Sequence, residues 1–198
     1  MSIVELIGVA ASLSLLAGWR LYASVLAAGI AMRTGLIDLP QHLAALGTLA
    51  SPWVIGAAGV GFVAEFFADK IAWLDSVWDG IHTAVRPIGG ALLALAVVDA
   101  GDPVWQVVAI LLGGGAALAS HSAKAGGRAI VNTSPEPFSN IAVSVTEDVL
   151  TLGGLALTFV DPVLAAIVAA SLLAVTLLLI YFSWRILKRI YVSLKRPA

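Results

Sequence analysis

Of the chain's 198 residues, 60% are hydrophobic and only 12% charged, with a mean hydropathy of +1.00; a soluble domain averages roughly 45–50% apolar and 25% charged. That composition excludes a water-soluble fold and calls for lipid. The formal charge of −1 argues against a nucleic-acid partner, which needs clustered basic surface, and the lack of cysteine excludes disulfides, thiolate metal sites and a cysteine nucleophile.

At roughly 20 apolar residues per spanning helix, the chain has room for about six transmembrane helices and short loops: an all-α membrane protein forming a single membrane domain. Residues 1–5 carry no basic stretch and the apolar run behind them is too long for a signal peptide, so the N-terminus is expected to be retained. The first apolar segment, residues 3–32, is interrupted by Gly18-Trp19-Arg20. As one helix it would measure about 45 Å against a hydrocarbon core of roughly 30 Å, so it must tilt, protrude or break near Gly18. The loop that follows, with Pro40 and His42, suits a short interfacial helix.

The second segment, 52–73, carries Glu65, Asp69 and Lys70 in its later half. The third, 75–98, has a polar first half (Asp75, Asp79, His82, Arg86) and an apolar second half after Pro87. Residues 99–103 read as a turn, with Gly and Pro among acids. The fourth, 104–131, begins apolar and then carries His121, Lys124 and Arg128. The prolines in 132–137 (NTSPEP) interrupt any helix there. The fifth segment, 138–159, holds Glu147 and Asp148, and Asp161-Pro162 opens the sixth, with proline in the first turn.

Lysine and arginine collect on the cytoplasmic side of span ends. The tail holds Arg185, Lys188, Arg189, Lys195 and Arg196, so the C-terminus is expected in the cytoplasm, and six spans would put the N-terminus there too. The chain also reads as duplicated: residues 15–24 are LLAGWRLYAS and residues 111–120 are LLGGGAALAS. Ser51-Pro52 precedes Glu65 at nearly the distance at which Ser134-Pro135 precedes Glu147. Short matches of Ala, Leu, Gly and Ser also arise by chance. Two three-helix repeats, 1–100 and 101–198, would be inverted relative to each other, a 3+3 arrangement with interrupted first helices of the kind found in secondary transporters.

Charges inside apolar segments are costly and serve as functional candidates. Arg20, Glu65, Asp69, Lys124, Arg128, Asn132, Glu147 and Asp148 are the candidate substrate- or ion-binding residues, and no catalytic residue is assigned. Asp75, Asp79 and His82 share one helix face, which suits the solvated face of an interfacial helix and is also a set able to hold a divalent cation as cofactor. His121, Lys124 and Arg128 form a basic stripe that either pairs with neighbouring acids or binds an anion. Ser139 or Asn140 could cap the fifth helix, or the polar loop before them could face a substrate. Among the glycines, 113–115 and 126–127 fit close helix packing and lack the spacing of a phosphate loop. Trp53, Trp73, Trp78, Trp105 and Trp184 fit an interfacial belt; Trp19 does not.

The motifs EFFADKIAWLDSVWDGIHTAVRPIGG (65–90) and SHSAKAGGRAIVNTSPEPFSN (120–140), with GWRLYAS near the start, resemble the bacterial integral-membrane family known as domain of unknown function 4126. The resemblance implies a small multi-span protein with polar motifs in both halves, and no substrate. Its motif residues here are Glu65, Asp69, Lys70, Asp75, Asp79, His82, Arg86, Pro87, Lys124, Arg128, Asn132, Ser134, Pro135, Glu136, Pro137, Asn140, Glu147 and Asp148.

The leading expectation is a secondary transporter or ion-coupled carrier for a small solute or cation in the bacterial inner membrane, with the intramembrane acids as coupling site. The alternatives are a membrane-embedded metal-dependent enzyme acting on a lipid or prenyl phosphate, and a non-catalytic partner subunit. The lipid bilayer is the expected partner, and a homo-oligomer is compatible with the sequence.

Overall fold

The computed structural model describes residues 3–36, 47–98, 102–133 and 137–194. The segment around Pro40 and His42, the centre of the 99–103 turn, residues 134–136, and Lys195 and Arg196 lie outside the described residues. Seven helices are described: α1 (Ile3–Trp19), α2 (Leu21–Arg33), α3 (Pro52–Ala68), α4 (Ala72–Val97), α5 (Pro103–Val131), α6 (Pro137–Val160) and α7 (Pro162–Leu194). Four of them, α4 to α7, are long and apolar enough to cross a membrane; α1, α2 and α3 are shorter apolar helices.

Local chemistry explains the boundaries. Pro52, Pro103 and Pro162 each open a helix, where the missing N–H costs nothing. Asp102 accepts from the Val104 amide at 2.8 Å, and Asp161 from Val163 and Leu164 at 2.8 and 3.0 Å, so both acids cap the orphaned first amides. Pro87 sits inside α4, which continues through it to Val97. The predicted second segment stops earlier than expected: α3 ends at Ala68, and the turn at 69–71 brings Asp69 into the interior.

The first segment breaks at Arg20, where the backbone leaves helical geometry (φ −140°, ψ 86°). Its two arms then diverge toward the same end of the bundle. Along α1, Leu16 lies against Gly154 and Ser12 Oγ is 2.6 Å from Thr158 Oγ1; along α2, Ala23 and Ala27 share a cavity with Leu152 and Leu155. Both arms therefore climb α6 from Ser144, which Arg20 touches, toward its C-terminus. The break makes a helical hairpin. α3 starts near the end of α2, where Ile55 meets Gly29, and returns to the level of Arg20.

This reversal departs from the expected six crossings. The helices α4 to α7 are each long enough to cross a membrane, and α1 begins where α7 begins, with Gly8 on Ala166. The start of α1 and the end of α7 thus lie at opposite ends, whereas six crossings would place them together. The second half also lacks the expected interruption, because α5 is one unbroken helix of 29 residues.

The apolar core gathers Leu13, Leu16, Ala17, Leu93 and Ala94 around α1. α4 and α5 approach most closely at Gly90 and Gly113: a methyl carbon on Gly90 would come within 2.8 Å of the Gly113 carbonyl oxygen, and one on Gly113 within 2.7 Å of that of Gly90. Gly115, one residue beyond Gly114 on the same helix, faces open space. Gly90→Leu is expected to destabilise the bundle by about 1–3 kcal/mol through overpacking, and Gly115→Leu to be neutral; thermal unfolding in detergent distinguishes the two. Outward-facing positions are apolar, and Trp53, Trp73, Trp105 and Trp184 are all exposed. Trp78 instead stacks on His82, with centroids 4.4 Å apart.

Candidate functional site

The charged side chains that the sequence places inside apolar segments meet in one half of the bundle. That half is formed by the hairpin apex, the C-terminal end of α3, the first half of α4, the second half of α5 and the first half of α6. Arg20, at the apex, is 1% exposed. It pairs with Asp69, reaches Asp148 at 2.7 Å and Glu147 at 3.8 Å, and donates to the Ser144 carbonyl at 3.2 Å. Lys124 pairs with Asp69 at 2.6 Å and lies 3.7 Å from Asp79 and 3.9 Å from Glu147. Arg86 pairs with Glu65 at 2.8 Å and Asp79 at 3.3 Å, and Lys70 with Asp148 at 2.9 Å.

Arg128 holds Asp75 at 3.0 Å, and its other donors bond the backbone carbonyls of Asn140, at 3.0 Å, and Asp69. Asn132 donates to Asp75 at 2.8 Å. The arrangement is a continuous column of alternating charge. Isolated charges could not survive there, because unpaired ions in low dielectric cost several kcal/mol each.

The cations also satisfy the broken helix. A helix C-terminus leaves carbonyl groups without amide partners and carries partial negative charge. At the end of α1, Leu15 O accepts from Ser120 Oγ at 2.7 Å, Gly18 O from Arg86 at 3.0 Å, and Trp19 O from Lys124 at 3.2 Å. Close approach here needs Gly18, since a side-chain carbon would sit 2.9 Å from the His121 amide nitrogen. Irregular backbone is thus sheltered by protein, the condition under which it survives away from water.

His121 and His82 are held by distinct patterns. Arginine can only donate, so His121 Nδ1, 2.6 Å from Arg86, accepts, and its Nε2 donates toward the Asp79 carbonyl at 3.1 Å. That imidazole is neutral. His82 donates from Nδ1 to the Trp78 carbonyl at 2.8 Å and meets the Tyr22 hydroxyl at 3.2 Å.

Of the expected binding residues, Arg20, Asp69, Lys124, Glu147 and Asp148 share partners, Glu65 joins them through Arg86 and Asp79, and Arg128 and Asn132 meet at Asp75, with Arg128 reaching the others through the Asp69 carbonyl. Asp75, Asp79 and His82 occupy one face of α4 but are committed separately, to Arg128, to Arg86 and Lys124, and to Trp78 and Tyr22. Among the described residues no three His, Asp or Glu side chains are grouped to hold a metal ion. Asn140, one of the two residues that could cap the fifth helix, is engaged elsewhere: α6 begins at Pro137, and the Asn140 amide donates to the Asp69 carbonyl at 3.3 Å. Sequence reasoning passed over Ser144, Tyr22 and the carbonyls of the helix break. Trp19, which did not fit an interfacial belt, was the available signal, since it is buried at the apex.

Among the described residues, openings on two sides reach this column. One, of about 210 Å³, lies between α4 and α5 and is lined by Asp75, Asp79, Arg128 and Asn132. The other, of about 440 Å³, lies among α5, α6, α7 and the apex, with Glu147, Lys124 and Arg128 against an apolar wall that includes Leu150, Val175 and Leu179. Glu147, the acid that lines this larger cavity, differs from the other buried acids in the distance to its cations: they stand at 3.8 and 3.9 Å, whereas each of the others has a cation within 3.3 Å.

The chain belongs to the family described as domain of unknown function (DUF4126), whose model matches residues 7–182. No curated protein and no solved structure matches it.

Proposed function

We propose that this member of the family is an ion-coupled carrier of a small solute or cation, in which Glu147 is the acid that exchanges its charge partner during the cycle. The single observation that carries the reading is Glu147 itself: a buried acid lining the larger cavity with its nearest cation at 3.8 Å, while each other buried acid has a cation within 3.3 Å. Ionisable groups inside apolar helices typically mark ion and proton pathways. Broken helices whose ends face a polar centre are a recurring feature of secondary transporters, and the α1–α2 break supports the same reading.

The orientation follows from charge. Arg185, Lys188 and Arg189 near the end of α7 favour a multi-pass inner-membrane protein whose charged column faces the cytoplasm. The α1–α2 hairpin then favours an N-terminus on the opposite side. An inverted relation between halves finds support in direction alone: α2, α3 and α4 run opposite in sense to α5, α6 and α7, with α1 as an addition.

The test is uptake into proteoliposomes under an imposed pH gradient, with inorganic and organic cations offered in turn. Glu147→Gln is expected to abolish gradient-driven uptake and Glu147→Asp to retain part of it. Wild-type uptake in Glu147→Gln would remove Glu147 from the cycle.

A further inference from the structure

The same cavity carries information about its ligand, and the inference rests on the carrier reading above. Among the described residues, six buried carboxylates (Glu65, Asp69, Asp75, Asp79, Glu147, Asp148) are linked to five cations (Arg20, Lys70, Arg86, Lys124, Arg128). With His121 neutral by its bonding, these six carboxylates and five cations leave one negative charge in excess. A buried excess charge is costly, so the column is stable with one added positive charge.

The geometry places that vacancy at one carboxylate. Arg20 is closer to Asp69 and Asp148 than to Glu147; Lys124 is closer to Asp69; Arg128 spends its donors on Asp75 and on two backbone carbonyls. Asp148 beside it is taken by Arg20 and Lys70. The groups facing Glu147 from each packed element are therefore Arg20 at the helix break, Asp69 at the α3–α4 turn, Lys124 and Arg128 on α5, and apolar Val175 and Leu179 on α7. None of the cations is within 3.5 Å of its Oε2.

The rest of the cavity sets what can arrive. Its volume of about 440 Å³ lies within the range of small-molecule sites, roughly 300–1,000 Å³. Leu150, Val175 and Leu179 line it, and the Trp19 indole adds an aromatic surface of a type that attracts cations. A small inorganic cation would leave that apolar wall uncovered and would need a ligand shell the cavity lacks. A monovalent organic cation with an apolar body matches both parts.

We infer that the cavity among α5, α6, α7 and the hairpin apex binds a monovalent lipophilic cation, whose charge replaces a proton on Glu147. In the empty state the Glu147 carboxyl holds the proton that neutralises the column. The incoming cation takes its place beside the carboxylate and the proton leaves to water, one for one, with no covalent bond to the ligand formed.

The experiment uses the full chain in a neutral detergent, titrated with tetraphenylphosphonium in weakly buffered solution while heat and pH are recorded. Saturable binding with release of one proton per chain is expected. Tetraphenylborate, of the same shape and opposite charge, should show no saturable binding. Glu147→Gln should weaken phosphonium binding by roughly 100-fold and release no proton. Val175→Trp fills the cavity from α7 without touching a charge, and should block binding with the column intact. Equal binding of tetraphenylborate, or undiminished binding in either variant, overturns the inference. Glu147-dependent binding without transport would keep the ligand class and reject the carrier, whereas Glu147-dependent uptake of an inorganic cation without phosphonium binding would do the reverse.

Discussion

Arg20→Met is expected to be among the most damaging single substitutions in the chain, costing about 3–5 kcal/mol, the usual penalty for removing one partner of a buried ion pair. Methionine fills much of the volume and is apolar, so the loss is electrostatic. Asp69, which is fully buried, would keep Lys124, but Asp148 would retain only the partly exposed Lys70, and the Ser144 carbonyl would lose its donor. Arg20→Lys should recover only part of the loss. An ammonium on a flexible stem cannot span Asp69, Asp148 and the carbonyl in the way a planar guanidinium does. The measurement is the thermal midpoint and monodispersity of each purified variant in detergent. A stability equal to wild type in Arg20→Met would mean the apex does not depend on its charge.

Arg86→Met should cost a similar amount, and its partner change makes the cause separable. Alone, it strands Glu65, which is fully buried, and removes the donor to the Gly18 carbonyl at the end of α1. Adding Glu65→Leu removes the stranded charge. Replacing both members of a buried pair by apolar groups is often close to neutral, so the double variant is expected to be more stable than Arg86→Met, with a coupling of about 0.5–3 kcal/mol. Recovery should remain incomplete, because Asp79 and the Gly18 carbonyl still lose Arg86. Strict additivity would show that Glu65 and Arg86 are not energetically paired.

Apolar runs and prolines made most helix positions legible in the sequence. Asp161-Pro162 announces a helix start through short-range chemistry alone, and the structure has α7 where that pair predicts. The reversal at Arg20 was not legible, because length and hydropathy are the same for a kinked crossing and for a hairpin. Its cause is tertiary: carbonyl groups freed at Gly18 and Trp19 are taken up by Arg86 and Lys124, more than 60 positions away. The expected parity of crossings rests on the same ambiguity.

Within the site, the charged residues could be nominated from their placement in apolar segments, but their pairing could not. Helix-face spacing put Asp75, Asp79 and His82 together as a metal set, whereas partners on α2 and α5, and Arg86 and the Trp78 carbonyl on α4 itself, engage them separately. The same spacing gave no reason to single out Glu147 over Glu65. They differ in what stands opposite: Arg86 at 2.8 Å from Glu65, and a cavity beside Glu147.

Infrared difference spectroscopy of the full chain in lipid, with and without tetraphenylphosphonium, observes the proton on Glu147 directly. The predicted result is loss of one protonated-carboxyl stretch on adding the cation, with the change absent in Glu147→Gln. No carboxyl change in the wild type, or the same change in Glu147→Gln, would contradict a cycle in which cation and proton share that carboxylate.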